Sequence, residues 1–467
     1  MKNVARTKII ATIGPSTWED SILERMYEGG MRLARINASF ADEEELSRVS
    51  AQLRRISPRI ATILDTQGSK IRVRGLNKAI EVRDTLVLSS ADNPNPHVIK
   101  VTYPTLDEDV VIGTKILLDD GNIQLLVRQI KGNDVICDVI HGGILKPNKT
   151  VSIPSVNLKF PALTEKDKKD VIFAANNDFD FVSASFVRNK DDIISIRKLI
   201  GKNNTKIIAK IENEQGVLNF EEILKEADAV MIARGDMGVE MELEDVPLIQ
   251  KQLIFQCRKS GKPVIVATQM LESMTGNNRP TRAEVSDVAN AVMDGADCLM
   301  LSAETSTGKN PVEAVYTMNR IAMKAESIMR LSPIDGDTSI GKDGDIMGYT
   351  VCKLTEDIGL KAIIIMSDSA GMVGSVSRHR PNVPIYVVSS SIENIRSNVI
   401  YRGIKTFHIK ELSDDRDTNV ILAVEKVYGN GELDLLDKIA IISGSSIKNK
   451  DSDSILEIIT VKDILNL

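Results

Sequence analysis

Lys210 and Glu212 close the apolar run KIIAKIE two residues apart, so in an extended strand they point to the same side while Ile207, Ile208 and Ile211 supply hydrophobic character. An isolated Lys-x-Glu is most simply an ion pair at a strand end. Other residues give this pair a chemical context. In ARGDMG, Asp236 stands between Gly235 and Gly238, which let backbone N–H groups approach an anion closely. Glu212 and Asp236 suit a hard divalent cation such as Mg²⁺ or Mn²⁺, which takes few protein carboxylates and leaves room for phosphate oxygens and water. Lys210, Arg35 and Arg72 add positive charge, and Thr268 in VATQM brings a hydroxyl that either relays a proton or simply ends a strand. Phosphoryl transfer requires this inventory, because its transition state spreads negative charge over oxygens that the protein positions and neutralises.

A regular scaffold places these residues. TKIIATIG, MRLARINA and IATILDTQ are apolar strands alternating with helical segments. Ser16 to Glu19 has capping-box spacing ahead of SILERMYEGG, which Gly29 and Gly30 end. From Val73 to about Phe160 the chain is rich in Val and Ile, with turn signals at DNPNP, DDGN, KGND and HGG, and predicts a small all-β insertion. Five more strands follow, FVSASF, TKIIAKIE, AVMIAR, KPVIVATQ and CLMLSAE, each but the last closely followed by a helical pattern. Three and five strands predict a (β/α)8 TIM barrel, whose active site lies at the carboxyl ends of its strands. The unusual residues collect there: Arg35, Asn37 and Ser39, then Asp65 and Thr66, Lys210 and Glu212, Arg234 and Asp236, Thr268 and Gln269, and Ser302 and Glu304. A third region, from about Thr338, carries KAIIIMS, IYVVSS and KIAIISG and predicts a C-terminal open α/β domain. The expected division is 1–72 with 161–337 for the barrel, 73–160 for the insertion and 338–467 for the last domain.

Composition removes several function classes. A chain of 467 residues exceeds one hydrophobic core, and 42% hydrophobic with 27% charged residues is ordinary for a folded protein. A net charge of -6 without a basic block gives no reason to expect nucleic-acid binding. Cys137, Cys257, Cys298 and Cys352 lie far apart, without the spacing of a zinc site or a disulfide framework, which fits a reducing cytoplasm. The amino-terminal apolar run is too short for a signal peptide, and no stretch approaches the ~18 apolar residues of a membrane span.

KIENEQG, MIARGDMGVE, VATQMLESM with RPTRAEVSDVANAVMDGAD, and LMLSAET together resemble pyruvate kinase in order and spacing. TKIIATIGPS, ARINASF, LDTQGSKIR, LDDG and FPALTEKDKKD extend the resemblance over the barrel and its insertion. It implies transfer of the phosphoryl group of phosphoenolpyruvate to ADP in glycolysis, with Mg²⁺ or Mn²⁺ on Glu212 and Asp236. By resemblance, Lys210 stabilises the transferring group and the enolate, Thr268 lies on the protonation path, and backbone groups at Gly235 and Asp236 hold the substrate carboxylate. Arg35, Asn37 and Arg72 belong to the same site, and Lys149 sits on an insertion that closes over the nucleotide as a lid. A homotetramer is implied as well, with the helical segment after Thr281 and the third domain as contacts.

Three departures from the family pattern bear on function. Phe40 stands where the pattern has a histidine, and Gln67 where it has a lysine. Potassium-requiring members place that ion with groups matching Asn37, Ser39, Asp65 and Thr66, and carry a glutamate where Lys70 stands here. An ammonium is a fixed positive charge, so Lys70 points to activity without K⁺. In the third domain, the Ser/Gly-rich SDSAGMVGS and SGSSIKNK, with Ser367, Ser369 and Ser445, have the composition of loops that bind a phosphorylated effector, and also that of ordinary strand-to-helix turns. Phe40 and Gln67 motivate an alternative, a catalytically weak paralogue that senses phosphoenolpyruvate or nucleotide. A barrel aldolase or lyase would share the carboxylates but have no need of a nucleotide lid.

Overall fold

The computed structural model describes residues 4–465 except 93, 94, 96, 97, 157, 330, 332, 333, 335–342, 367–369 and 445–453. Eight parallel strands close into a barrel in sequence order: Lys8–Thr12, Met31–Asn37, Ala61–Asp65, Phe181–Ala184, Lys206–Ile211, Ala229–Ala233, Val264–Ala267 and Cys298–Leu301. These strands are near-continuous apolar runs because side chains on both faces are buried, against the barrel interior or the surrounding helices. Register brings the site together. Thr12 pairs with Arg35, Asn37 with Asp65, Asp65 with Ser183 and Lys210 with Met231.

Helix boundaries follow local chemistry, with two corrections. The capping box expected at Ser16 to Glu19 does not form: the Gly14 N–H donates to Thr17 Oγ1 in a short 3-10 turn, and helix Asp20–Gly29 begins without a side-chain cap. Gly30, at φ 121°, closes that helix as expected, in a conformation that other residues rarely adopt. The eighth strand, expected without a close helix, is followed by the turn Ala303–Ser306 and the long helix Pro311–Ile328. The intervening STGKNP interrupts the helical pattern, and its proline starts the long helix at the position where a missing N–H costs nothing.

Between the third and fourth barrel strands, a second closed barrel of seven strands is built from Ile71–Arg74 through Thr150–Ser152, with its own core of Ile71, Val73, Leu88, Val101, Leu118, Leu125 and Val135. Arg72 therefore rides on this insertion. The chain enters it directly from the carboxyl end of Ala61–Asp65, so the small barrel stands over the face where the polar residues collect. One short helix, Leu106–Asp109, interrupts its strands.

The last domain is a five-stranded sheet in the order Ile404–His408, Ile385–Ser389, Ala362–Met366, Lys438–Gly444 and Ser454–Thr460, with only the last strand antiparallel. It packs on the opposite end of the large barrel, and Ile10, Leu33, Ile63, Phe181 and Met300 of the barrel share one core with Val399, Ile400 and Tyr401. Polar groups seal the junction. Lys8 Nζ donates to Ile404 O at 2.6 Å, and Arg380 pairs with the buried Asp297 at 2.8 Å. Asp180, at the start of the fourth strand, accepts from Arg54 at 3.0 Å, the Thr62 N–H at 2.7 Å and Arg396 of the last domain at 2.6 Å. Both guanidiniums keep a second carboxylate in Asp178, 3.6 Å from Arg54 and 2.5 Å from Arg396, so Asp180→Asn weakens the cluster without stranding a charge and is expected to cost about 1–3 kcal/mol. The midpoint of urea unfolding should fall accordingly, and an unchanged midpoint would contradict this role.

Candidate active site

At the carboxyl end of the fifth strand, the Lys210 ammonium is held between two carboxylates, 3.1 Å from Asp65 Oδ1 and 3.0 Å from Glu212 Oε1, and donates to Ser185 Oγ at 2.8 Å. Asp65 uses its other oxygen for Arg35, whose Nε lies at 2.5 Å, while Arg35 Nη1 reaches Thr12 Oγ1 at 3.0 Å. Glu212 Oε2 accepts the Phe186 N–H at 2.7 Å. All of Asp65, Lys210 and Glu212 are buried.

The charges decide one another's protonation. Burial pushes the Lys210 ammonium down, but Asp65 and Glu212 outweigh it and hold its pKa above the usual lysine value. Burial likewise pushes Asp65 up, and Arg35 and Lys210 together bring it below the usual carboxylate range. Glu212 is the member left raised, by burial first and by the negative charge of Asp236, against the pull of Lys210. A divalent cation would remove that cost. Two carboxylates beyond the ends of adjacent strands, one of them destabilised as an anion, fit such an ion by donor chemistry.

Asp236 is the exposed partner, one-third accessible at the start of helix Arg234–Glu240, and Lys70 Nζ lies 2.6 Å from its Oδ1. Thr268 accepts the Gly235 N–H at 2.7 Å and donates to Ala267 O at 2.6 Å. Thr268 and Gln269 both take positive φ, 66° and 55°, and a β-branched residue there is strained, at a cost of about 1–3 kcal/mol. Arg234 fixes this turn, donating to Thr268 O at 2.8 Å and to Asp287 at 2.7 Å. A cleft of about 380 Å³ opens between the two barrels, lined among others by Lys70, Ser152, Phe186, Asp236 and Glu240.

The pyruvate kinase barrel-domain model matches residues 4–315 and the pyruvate kinase alpha/beta-domain model residues 345–459. A pyruvate kinase of Geobacillus stearothermophilus is 40% identical over 98% of this chain and 81% of its own length, and one of Staphylococcus epidermidis is 37% identical over the same shares. The chain belongs to the pyruvate kinase family. A crystal structure of a pyruvate kinase from Cryptosporidium parvum superposes with a TM-score of 0.90 at 30% identity, covering 98% of this chain and 96% of that one. Pyruvate kinase is a phosphotransferase family, and its three-part architecture is the one described above.

As a pyruvate kinase site, the arrangement gathers some of the expected residues and leaves others apart. Arg35, Asp65, Lys210 and Glu212 form one network. Thr66 is buried, its hydroxyl bridging to Ser183 O at 3.2 Å and accepting the Ser185 N–H at 3.1 Å. Asn37 spends its side-chain oxygen on the Ser39 N–H at 3.0 Å, closing the turn that exposes Ser39 and Phe40. Lys70 lies with Asp236. Arg72 donates to Asn148 O within the lid at 3.1 Å, and Lys149 pairs with Asp119 of the lid at 2.5 Å, so both are held on the insertion. Ser367, Ser369 and Ser445 lie outside the described residues, and Arg378, just past the helix that follows the first two, is buried and paired with Asp345 at 3.0 Å.

Three participants were not singled out from sequence. Ser185 and Phe186 end the fourth strand, the position left blank among the polar strand ends, and FVSASF carried the signal in its final serine. Glu240 lines the cleft, where burial pushes its carboxyl up to about 7 against the pull of the Ser152 hydroxyl of the lid. Lys210→Ala, which removes a buried charge aimed at the site, should lower kcat by about 10² or more. A wild-type-like rate in steady-state kinetics would remove Lys210 from the chemistry.

Proposed function

We propose that the chain transfers the phosphoryl group of phosphoenolpyruvate to ADP, giving pyruvate and ATP, with Mg²⁺ or Mn²⁺ on Glu212 and Asp236. The observation that carries this reading is the ammonium of Lys210, kept charged in a buried site by two carboxylates. In the reaction the bond from phosphorus to the enol oxygen breaks and one to a β-phosphate oxygen of ADP forms, leaving an enolate that takes a proton at carbon. A metal ion at this site supplies charge neutralisation to the phosphoryl oxygens. Lys210 supplies a second, fixed positive charge on the enolate side.

Arg35 and Asn37 are assigned to the nucleotide, and Lys149 joins them once it leaves Asp119 and the lid closes. Arg72 reaches the phosphates from the same lid edge. The Gly235 and Asp236 N–H groups are assigned to the substrate carboxylate, which requires Thr268 to release the Gly235 N–H. That release frees a lone pair on the threonine oxygen, and the hydroxyl joins the protonation path by turning its proton away from Ala267 O toward the enolate carbon.

Lys70 is assigned the role of the monovalent cation. Support comes from Asp65, whose two oxygens are already taken by Arg35 and Lys210, and from a lysine ammonium held nearby on Asp236. An effector phosphate would meet the loops of Ser367, Ser369 and Ser445. The assembly is read as a homotetramer of the cytoplasm, contacting through helix Arg282–Asp294 and the last domain. No helix among the described residues is long and apolar enough to cross a membrane.

The test is pyruvate release from phosphoenolpyruvate and ADP with Mg²⁺, run in K⁺ and with K⁺ replaced by an inert organic cation. Turnover is expected in both, and chelation of the divalent ion should abolish it. Loss of most activity without K⁺ would overturn the role of Lys70. No turnover in either medium, in folded protein that binds phosphoenolpyruvate, would overturn the kinase reading.

A further inference from the structure

We propose that Lys70 is a resident cation of the divalent-metal site: in the free protein its ammonium occupies Asp236, and a metal ion must displace it in order to bind. The inference rests on the reading that Glu212 and Asp236 hold that metal.

The position of the ammonium is built by its surroundings. Lys70 Nζ lies 2.6 Å from Asp236 Oδ1 and 4.9 Å from the centre of the Phe186 ring, so a carboxylate and an aromatic face both stabilise its charge. Phe186 is itself tied to the second carboxylate, through its N–H to Glu212 Oε2 at 2.7 Å, and holds a positive φ of 54° to do so. The loop carrying Lys70 is fixed just upstream, where Asp167 Oδ1 accepts the N–H groups of Gln67 at 2.9 Å and Gly68 at 3.3 Å. Gly68, at φ 70°, lies so close to Phe186 and Ser185 that a Cβ there would meet both at 2.8 Å. Loop, ring and the Asp236 carboxylate thus converge on one positive charge.

An ammonium 2.6 Å from Asp236 Oδ1 takes up that oxygen and repels a second cation arriving at the same carboxylate. The free protein therefore binds the metal with an affinity reduced by the fraction of molecules in which Lys70 has left. Arrival of the metal releases the ammonium, which is then available as the fixed monovalent charge assigned to it above. A lysine that merely braces the lid would have no such effect on metal affinity.

Mn²⁺ binding to the full chain, without substrate or nucleotide, is measured by loss of the free-ion signal in electron paramagnetic resonance. Lys70→Met and Lys70→Gln are each expected to bind Mn²⁺ about five- to tenfold more tightly than the wild type, the gain from removing a partly exposed ion pair and its repulsion. Lys70→Arg, which keeps the charge, is expected to bind Mn²⁺ more weakly than either neutral variant. Unchanged or weaker binding in both neutral variants, with Glu212→Gln losing the metal, overturns the displacement alone. If Glu212→Gln binds Mn²⁺ like the wild type, the metal assignment itself falls, whatever the Lys70 variants do.

Discussion

A buried ammonium between two buried carboxylates is the interaction on which the site depends. Burial by itself pushes the Lys210 ammonium down and the Asp65 carboxyl up. Together, with Arg35 on the far side of Asp65, they keep charges that water no longer stabilises. The arrangement leaves Glu212 short of compensation, because Lys210 serves two carboxylates and Asp236 adds a further negative charge. A site with unspent negative charge on one side and a locked positive charge on the other is prepared for a divalent ion and a phosphoryl group.

The fold supplies what such a network needs. Parallel strands in register set Thr12 beside Arg35 and Asp65 beside both Asn37 and Ser183, so that hydrogen-bonding side chains meet at one level of the barrel. The opposite end is closed by the last domain, whose Val399, Ile400 and Tyr401 continue the barrel's own core. At the open end Phe186, Thr268 and Gln269 hold backbone conformations unfavourable to side chains, and Phe186 lines the cleft. The small barrel stands above, holding Arg72 on its first strand and Lys149 just before its last.

Much of this was legible in the sequence, for reasons that also explain what was not. Parallel barrel strands are buried on both faces, so KIIAKIE or AVMIA announces itself as an apolar run, and the polar residue that ends it is conspicuous. The strands Ile404–His408 and Ser454–Thr460 lie on the edges of an open sheet, where Lys405, His408 and Glu457 face outward and break the run, and they were not predicted. Ser185 was missed because it follows Ala184 and precedes Phe186, without the charge that marks the other strand ends. Lys70 was placed by resemblance with Asn37, Ser39, Asp65 and Thr66, whereas its ammonium sits on Asp236, a contact across the barrel mouth that spacing along the chain does not encode. The box at Ser16 to Glu19 failed because Gly14 and Thr17 had already satisfied the local donors.

The central claim is that Asp65 acts through Lys210, by holding its charge in a buried site. A double-mutant cycle on kcat at saturating ADP, where a weakened Arg35 contact to the nucleotide does not enter, with Asp65→Asn and Lys210→Met measures this directly. The account predicts strong non-additivity, the double variant being about as impaired as Lys210→Met alone. Losses that simply multiply would contradict it, because Asp65 and Lys210 would then act independently.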